Sequence, residues 1–156
     1  MTQFVLVSDW HFTHPLARVW ALVEDVEHWP GWWPAVKRVE TVRTGDETGL
    51  GAVRRITWGT ALPYTLTFDV EVTQIEHHDC IEGRAHGAIE GTGLWNFHEE
   101  PEGTHVRYLW RVDVTKGWMK LLAPVLAPVF AWNHNKAMCR GLEGARKRLG
   151  EGRARD

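Results

Sequence analysis

The chain has 156 residues, 44% of them hydrophobic, enough for one domain with a substantial core and too few for two. Its 18 Lys and Arg against 20 Asp and Glu give a formal charge of -2, without the basic excess needed to track a nucleic-acid backbone. Its two cysteines, Cys80 and Cys139, lack CxxC or metal-ligand spacing and read as reduced thiols of a cytoplasmic protein.

The start, "MTQFVLVSDW", carries no basic region or cleavage site of an export signal. It opens a strand: in "FVLVSDWHFTH" (4–14), Phe4, Leu6, Ser8, Trp10 and Phe12 alternate onto one face, leaving Asp9 and His11 on the other. Pro15 then suits a first helical turn, and Leu16, Val19, Trp20 and Val23 fall at helical spacing. Next comes "EHWPGWWPAV" (27–36), where Pro30, Gly31 and Pro34 exclude ordinary helix or strand around Trp29, Trp32 and Trp33.

Six further strands are predicted: "VKRVETVRTG", "GAVRRITWG", "YTLTFDVEVTQIE", "CIEGRAHG", "AIEGTGLWNFHEE" and "THVRYLWRVDVT". In the third of these, Tyr64, Leu66, Phe68, Val70 and Val72 share one face against Thr65, Thr67, Asp69, Glu71 and Thr73, the pattern of a half-buried antiparallel strand. From about Trp118 the period changes, and Phe130, His134, Met138, Leu142, Ala145 and Leu149 define one stripe of a long helix. Pro124 and Pro128 near its start predict a kinked, broken or separately started first part. The run "LLAPVLAPVFAW" is too short to span a bilayer, so no integral membrane association is expected. Residues 1–150 read as one domain, with 151–156 a frayed tail.

The segments "HPLARVWALVEDVEHWPGWWPAV", "LPYTLTFDV", "GTGLWNF", "VRYLWRVDV" and "LLAPVLAPVFAWNHNKAMCRGLEGARKRL" resemble the polyketide cyclase/dehydrase branch of the START-like, Bet v 1-like (SRPBCC) superfamily, over roughly residues 3 to 149. The resemblance implies an α+β helix-grip fold: a seven-stranded curved antiparallel sheet around a long C-terminal helix, two short helices after the first strand, and a hydrophobic cavity. It says little about chemistry, because members of the branch range from cyclases to lipid and quinone binders.

In such a fold the tryptophan segment passes the cavity mouth. A buried indole removes on the order of 150 to 250 Å² from water, worth about 4 to 6 kcal/mol as an upper bound. Trp29, Trp32 and Trp33 therefore act either as a lid or as a plug where helix meets sheet. His134 shares the stripe of Phe130 and Met138, where desolvation favours a neutral imidazole able to polarise a ligand carbonyl or simply to bond a nearby backbone or asparagine group. Tyr64 and Tyr108 join it as candidate catalytic groups through their hydroxyls. Trp10, Tyr64, Phe68, Trp95, Trp110, Phe130 and Met138 complete, with the loop tryptophans and His134, the expected ligand-binding set, and the strand aromatics among them suit core filling equally. Arg84 with His86, and Glu90 with Asn96, share strand faces; Arg84 and Glu90 are read as surface.

His77 and His78 are adjacent in a turn and do not form a zinc pair, and neither a GxSxG elbow nor a GxxxxGK[ST] loop occurs. No metal and no cofactor are expected. Two functions stay open: binding of a small hydrophobic molecule (a lipid, a quinone or an aromatic polyketide-like compound), or cofactor-free polyketide cyclisation and dehydration in the same cavity, by a monomer or homodimer.

Overall fold

The computed structural model describes residues 2–59, 65–87, 89–114 and 117–150. Strand β1 (Thr2–Phe12) leads into helix α1 (Leu16–Glu24) and a 3-10 helix (Val26–Gly31). Strands β2 (Val36–Arg43), β3 (Val53–Gly59), β4 (Thr65–Glu76), β5 (Cys80–Gly87), β6 (Glu90–Glu100) and β7 (Gly103–Val114) follow, and helix α2 (Gly117–Leu149) closes the fold. This is the expected α+β helix grip. All seven strands pair antiparallel in the order β1-β7-β6-β5-β4-β3-β2.

Alternation sets the faces, and bulges bend the sheet. Trp10, Phe12, Ile56, Phe68, Val72, Trp95, Phe97 and Val106 are buried on the concave side. Register shifts in β2 between Val36 and Arg38 and between Thr41 and Arg43, and in β4 between Val72 and Gln74, place extra residues on one strand of a pair, which sharpens local bending and twist. Helix α1 fills one end of the concavity with Val19, Trp20 and Val23.

The 3-10 helix explains how the Pro-rich segment stays ordered: its tighter turn accommodates Pro30 inside six residues. Glu27 anchors it to the sheet, accepting hydrogen bonds from Thr41 on β2 at 2.7 Å and from the Arg54 guanidinium on β3 at 2.9 Å. Partial burial pushes the Glu27 carboxyl pKa up, but those bonds outweigh it and hold the group below its usual range.

Helix α2 runs unbroken through Pro124 and Pro128, so the expected break or restart does not occur. Both prolines sit on its exposed side, where water reaches the carbonyls they leave unbonded. Its core stripe carries His134, Ala137, Met138, Gly141, Ala145 and Leu149. At its end, Gly150 adopts φ 89° and donates its N–H to the Lys147 carbonyl. The expected frayed tail, 151–156, lies outside the described residues.

Candidate functional site

The tryptophan segment folds inward. Trp29, Trp32 and Trp33 are all buried, and with Trp10, Trp58 and Trp95 they form a continuous aromatic cluster. Trp33 sits at its centre, in ring contact with the other five, its centroid 5.2 Å from that of Trp29 and 5.3 Å from that of Trp10. Two indoles are anchored to backbone: Trp29 Nε1 donates to the Val23 carbonyl at 2.9 Å and Trp33 Nε1 to the Ala137 carbonyl at 3.0 Å. Trp32 Nε1 is buried with no partner among the described residues.

Two glycines of α2 make this packing possible. A Cβ on Gly141 would stand 2.7 Å from the Trp33 ring and 3.0 Å from Trp10, and one on Gly144 would collide with the Trp32 carbonyl. A helix without side chains at these positions can lie directly on the loop. Beside this junction runs an open groove of about 600 Å³, lined by Gly31, Trp32, Pro34, Arg140, Glu143, Gly144, Lys147 and Arg148.

Away from the cluster, the concave face changes character. Its inward positions near the tryptophans are buried, whereas Phe4, Leu6 and Ser8 on β1, Tyr108 and Trp110 on β7, and Leu66 and Val70 on β4 keep part of their surface accessible. None of these side chains is charged. Tyr108 is the link between the two regions: its ring stacks on Trp95 at 4.1 Å and lies 6.1 Å from Trp110, which in turn lies 6.5 Å from Phe68. Gly93 on β6 gives the Tyr108 hydroxyl its room, since a Cβ there would come within 2.6 Å of the oxygen.

His134 lies parallel to Tyr108, ring centroids 6.3 Å apart and planes 16° apart. Only 9% of the residue is exposed, and its Nδ1 is buried without a partner among the described residues. Desolvation pushes its pKa down to about 4, so the ring is neutral at pH 7, one nitrogen donating and one accepting. Burial also drives the Tyr108 phenol well above its usual value. Both groups are therefore uncharged hydrogen-bonding partners at pH 7, set in an apolar wall.

Trp10, Trp29, Trp32, Trp33, Phe68, Trp95, Tyr108, Trp110 and His134 thus belong to one connected set of ring contacts. Phe130 joins Phe4 instead, at 5.3 Å, and Met138 is buried on the same helix stripe. Tyr64 lies outside the described residues. The strand-register pairing of Ser8 with Tyr108 adds a hydroxyl-bearing residue beside the tyrosine that local pattern reading did not single out.

The outer face holds the remaining polar candidates. Asp9 accepts from His105 at 2.7 Å and from Arg107 at 3.0 Å, and His86 pairs with Glu90 at 3.1 Å. His11, His105 and His98 stand side by side across β1, β7 and β6, with the first two rings stacked at 4.4 Å. Among the described residues no group of three His, Cys, Asp or Glu is placed to hold a metal ion. Cys80 and Cys139 are free.

The family described as polyketide cyclase/dehydrase and lipid transport matches residues 5–150. The chain belongs to this family. Among solved structures, members of the same fold include TTHA0849 from Thermus thermophilus, at 18% identity and TM-score 0.74 over 91% of this chain and 97% of that one. The Zhui aromatase/cyclase from Streptomyces sp. R1128 is similar at 15% identity and TM-score 0.73, over 95% and 96% of the two chains. Ara h 8.0201 follows at 14% identity and TM-score 0.61, over 94% and 99%. No curated protein matches the sequence. At these identities the structural likeness of this polyketide cyclase/dehydrase family member establishes the helix grip, and the chemistry must be argued from its own residues.

Proposed function

We propose that the protein binds a small, largely apolar molecule bearing a carbonyl or hydroxyl group, in a hollow between the first half of α2 and the part of the sheet formed by β1, β7 and β4. One observation carries this reading: a buried, neutral His134 with an unpartnered Nδ1 lies on Tyr108, amid apolar walls whose side chains keep accessible surface. Apolar walls with a few convergent polar groups are the general form of a small-molecule site. An unpaired buried nitrogen costs roughly 1 to 3 kcal/mol, and a ligand oxygen or hydroxyl supplies what is missing. The tryptophan cluster serves as the closed end of this hollow, since two of its indoles are tied to backbone.

A second reading rests on the adjacency of His134 and Tyr108. Two neutral groups beside one another can hold and polarise the carbonyls of a poly-β-ketone and relay a proton during aldol closure and loss of water, with no cofactor. The test is titration with a panel of naphthols, anthraquinones and short poly-ketones, in the unaltered protein and in His134→Phe. Saturable one-to-one binding that weakens in the variant supports a binding site at His134, and conversion of a bound poly-ketone to a ring product selects the enzymatic reading. Binding indifferent to His134, or none across the panel, contradicts the site.

A further inference from the structure

Helix α2 is apolar on two opposite sides. Its inner stripe packs on the sheet, but Leu121, Val125 and Trp132 are 81%, 69% and 52% exposed, and Leu122 and Val129 are 44% and 40% exposed. At 100° per residue these five side chains fall within an arc of about 100°, nearly opposite His134 and Gly141. A helix that needed only to cover the sheet would carry polar residues there.

The charges of the same segment are segregated. From Val114 to Leu142 the sequence contains Lys116, Lys120, Lys136 and Arg140 and no acidic residue, leaving 14 of the 18 basic residues to face all 20 acidic ones elsewhere. A basic segment on a net-acidic chain is a local feature. Lys136 and Arg140 continue the line of the apolar stripe toward the C-terminus, and the Lys136 ammonium lies over the Trp132 ring, 5.1 Å from its centroid. A tryptophan capped by lysine at the end of an apolar stripe is the arrangement that settles at a lipid–water boundary, ring in the headgroup layer and cation at the phosphates.

We infer that the first half of α2 docks on the surface of an anionic phospholipid bilayer, lying in the interface rather than crossing it. No helix among the described residues is long and apolar enough to cross. Pairing with a second copy fits less well. An isologous contact centred on this stripe brings the basic residues of one copy near those of the other, because the segment carries Lys116, Lys120, Lys136 and Arg140 and no acid to pair them, and the five apolar side chains among the described residues fall well short of the roughly 20 to 30 residues per side of a stable interface. The inference stands independently of what the hollow binds.

Flotation with vesicles of phosphatidylcholine alone, or mixed with phosphatidylglycerol, tests it at low and high salt. The unaltered protein should float with the mixed vesicles, less at high salt, and hardly with phosphatidylcholine alone. Leu121→Glu with Val125→Glu, at positions exposed in the fold, should abolish flotation with the melting temperature retained. Lys136→Ala with Arg140→Ala should weaken it roughly fivefold for each basic residue removed. The inference is overturned if the protein stays with the soluble fraction, if either folded variant floats like the parent, or if size-exclusion chromatography shows a dimer that Leu121→Glu with Val125→Glu disrupts.

Discussion

Trp33 and Ala137 are joined by a hydrogen bond of 3.0 Å from indole to carbonyl, between residues 104 positions apart in the chain. That bond, with the bare Cα of Gly141 one turn further along, sets the distance between the tryptophan loop and the helix that grips the sheet. It makes the loop part of the core.

Replacing Gly141 with Ala should therefore lower stability, although Ala is the better helix former by about 1 kcal/mol. The added Cβ meets Trp33 and Trp10, whose rings are among the most deeply buried in the fold, and overpacking of that kind costs about 1 to 3 kcal/mol. Gly144→Ala should be worse, because its Cβ would meet the Trp32 backbone carbonyl rather than a side chain. Urea denaturation of both variants checks the order; a stabilised Gly141→Ala would show that the loop yields freely.

Trp33→Phe should cost about 2 to 4 kcal/mol. It removes the N–H that adds a second donor to the Ala137 carbonyl and part of a ring that touches Trp10, Trp29, Trp58 and Trp95, leaving a void in the core. Thermal unfolding gives the figure directly.

His134 gives the fold a specific pH dependence. Its folded pKa, about 4, lies below the unfolded value near 6.5, so between these values the unfolded chain holds the extra proton. The resulting stability is fully present above pH 6.5 and is lost as pH falls toward 4, by about 3 kcal/mol in all. Comparison of unfolding free energies at pH 7 and pH 5 should show a smaller drop in His134→Gln than in the parent. Equal drops would place the burden on groups other than His134; the Asp9 carboxylate is not among them, because His105 and Arg107 hold it below its usual range and its contribution fades only under still more acid conditions.

Much of the fold was legible because burial imposes a period. The alternation of Leu66, Phe68, Val70 and Val72 and the stripe from Phe130 to Leu149 each report one wet and one dry face. The run "LLAPVLAPVFAW" was less readable, since a segment apolar on both sides has no clear period, and its outward stripe emerged only with the fold. Register was hidden for another reason: Ser8 faces Tyr108 across 100 residues of chain, a pairing that no local pattern encodes. Gly141 and Gly144 gave no hint either, because a glycine's use as a seat depends on what lands on it. Of the kink, break or restart expected at Pro124 and Pro128, the break and the restart did not occur, because a proline on the wet side of a helix leaves its unbonded carbonyl to water.

Tyr108→Phe should separate recognition from packing. The ring keeps its stack on Trp95, so stability should change by less than about 1 kcal/mol, while a ligand that bonds the hydroxyl should bind roughly fivefold more weakly. Calorimetric titration alongside thermal unfolding distinguishes the two. A large loss of stability with unchanged affinity would assign the tyrosine to the core alone.

The most direct measurement is nitrogen-15 NMR of the His134 side chain during titration with the naphthol and anthraquinone panel. Bound ligand at this site should leave the ring neutral and move its Nδ1 resonance as that nitrogen gains a partner, with no such signal in His134→Phe. If ligands bind while the His134 resonances stay fixed and the shifts gather on the outer face of the sheet, the hollow beside His134 and Tyr108 is not where this protein takes its ligand.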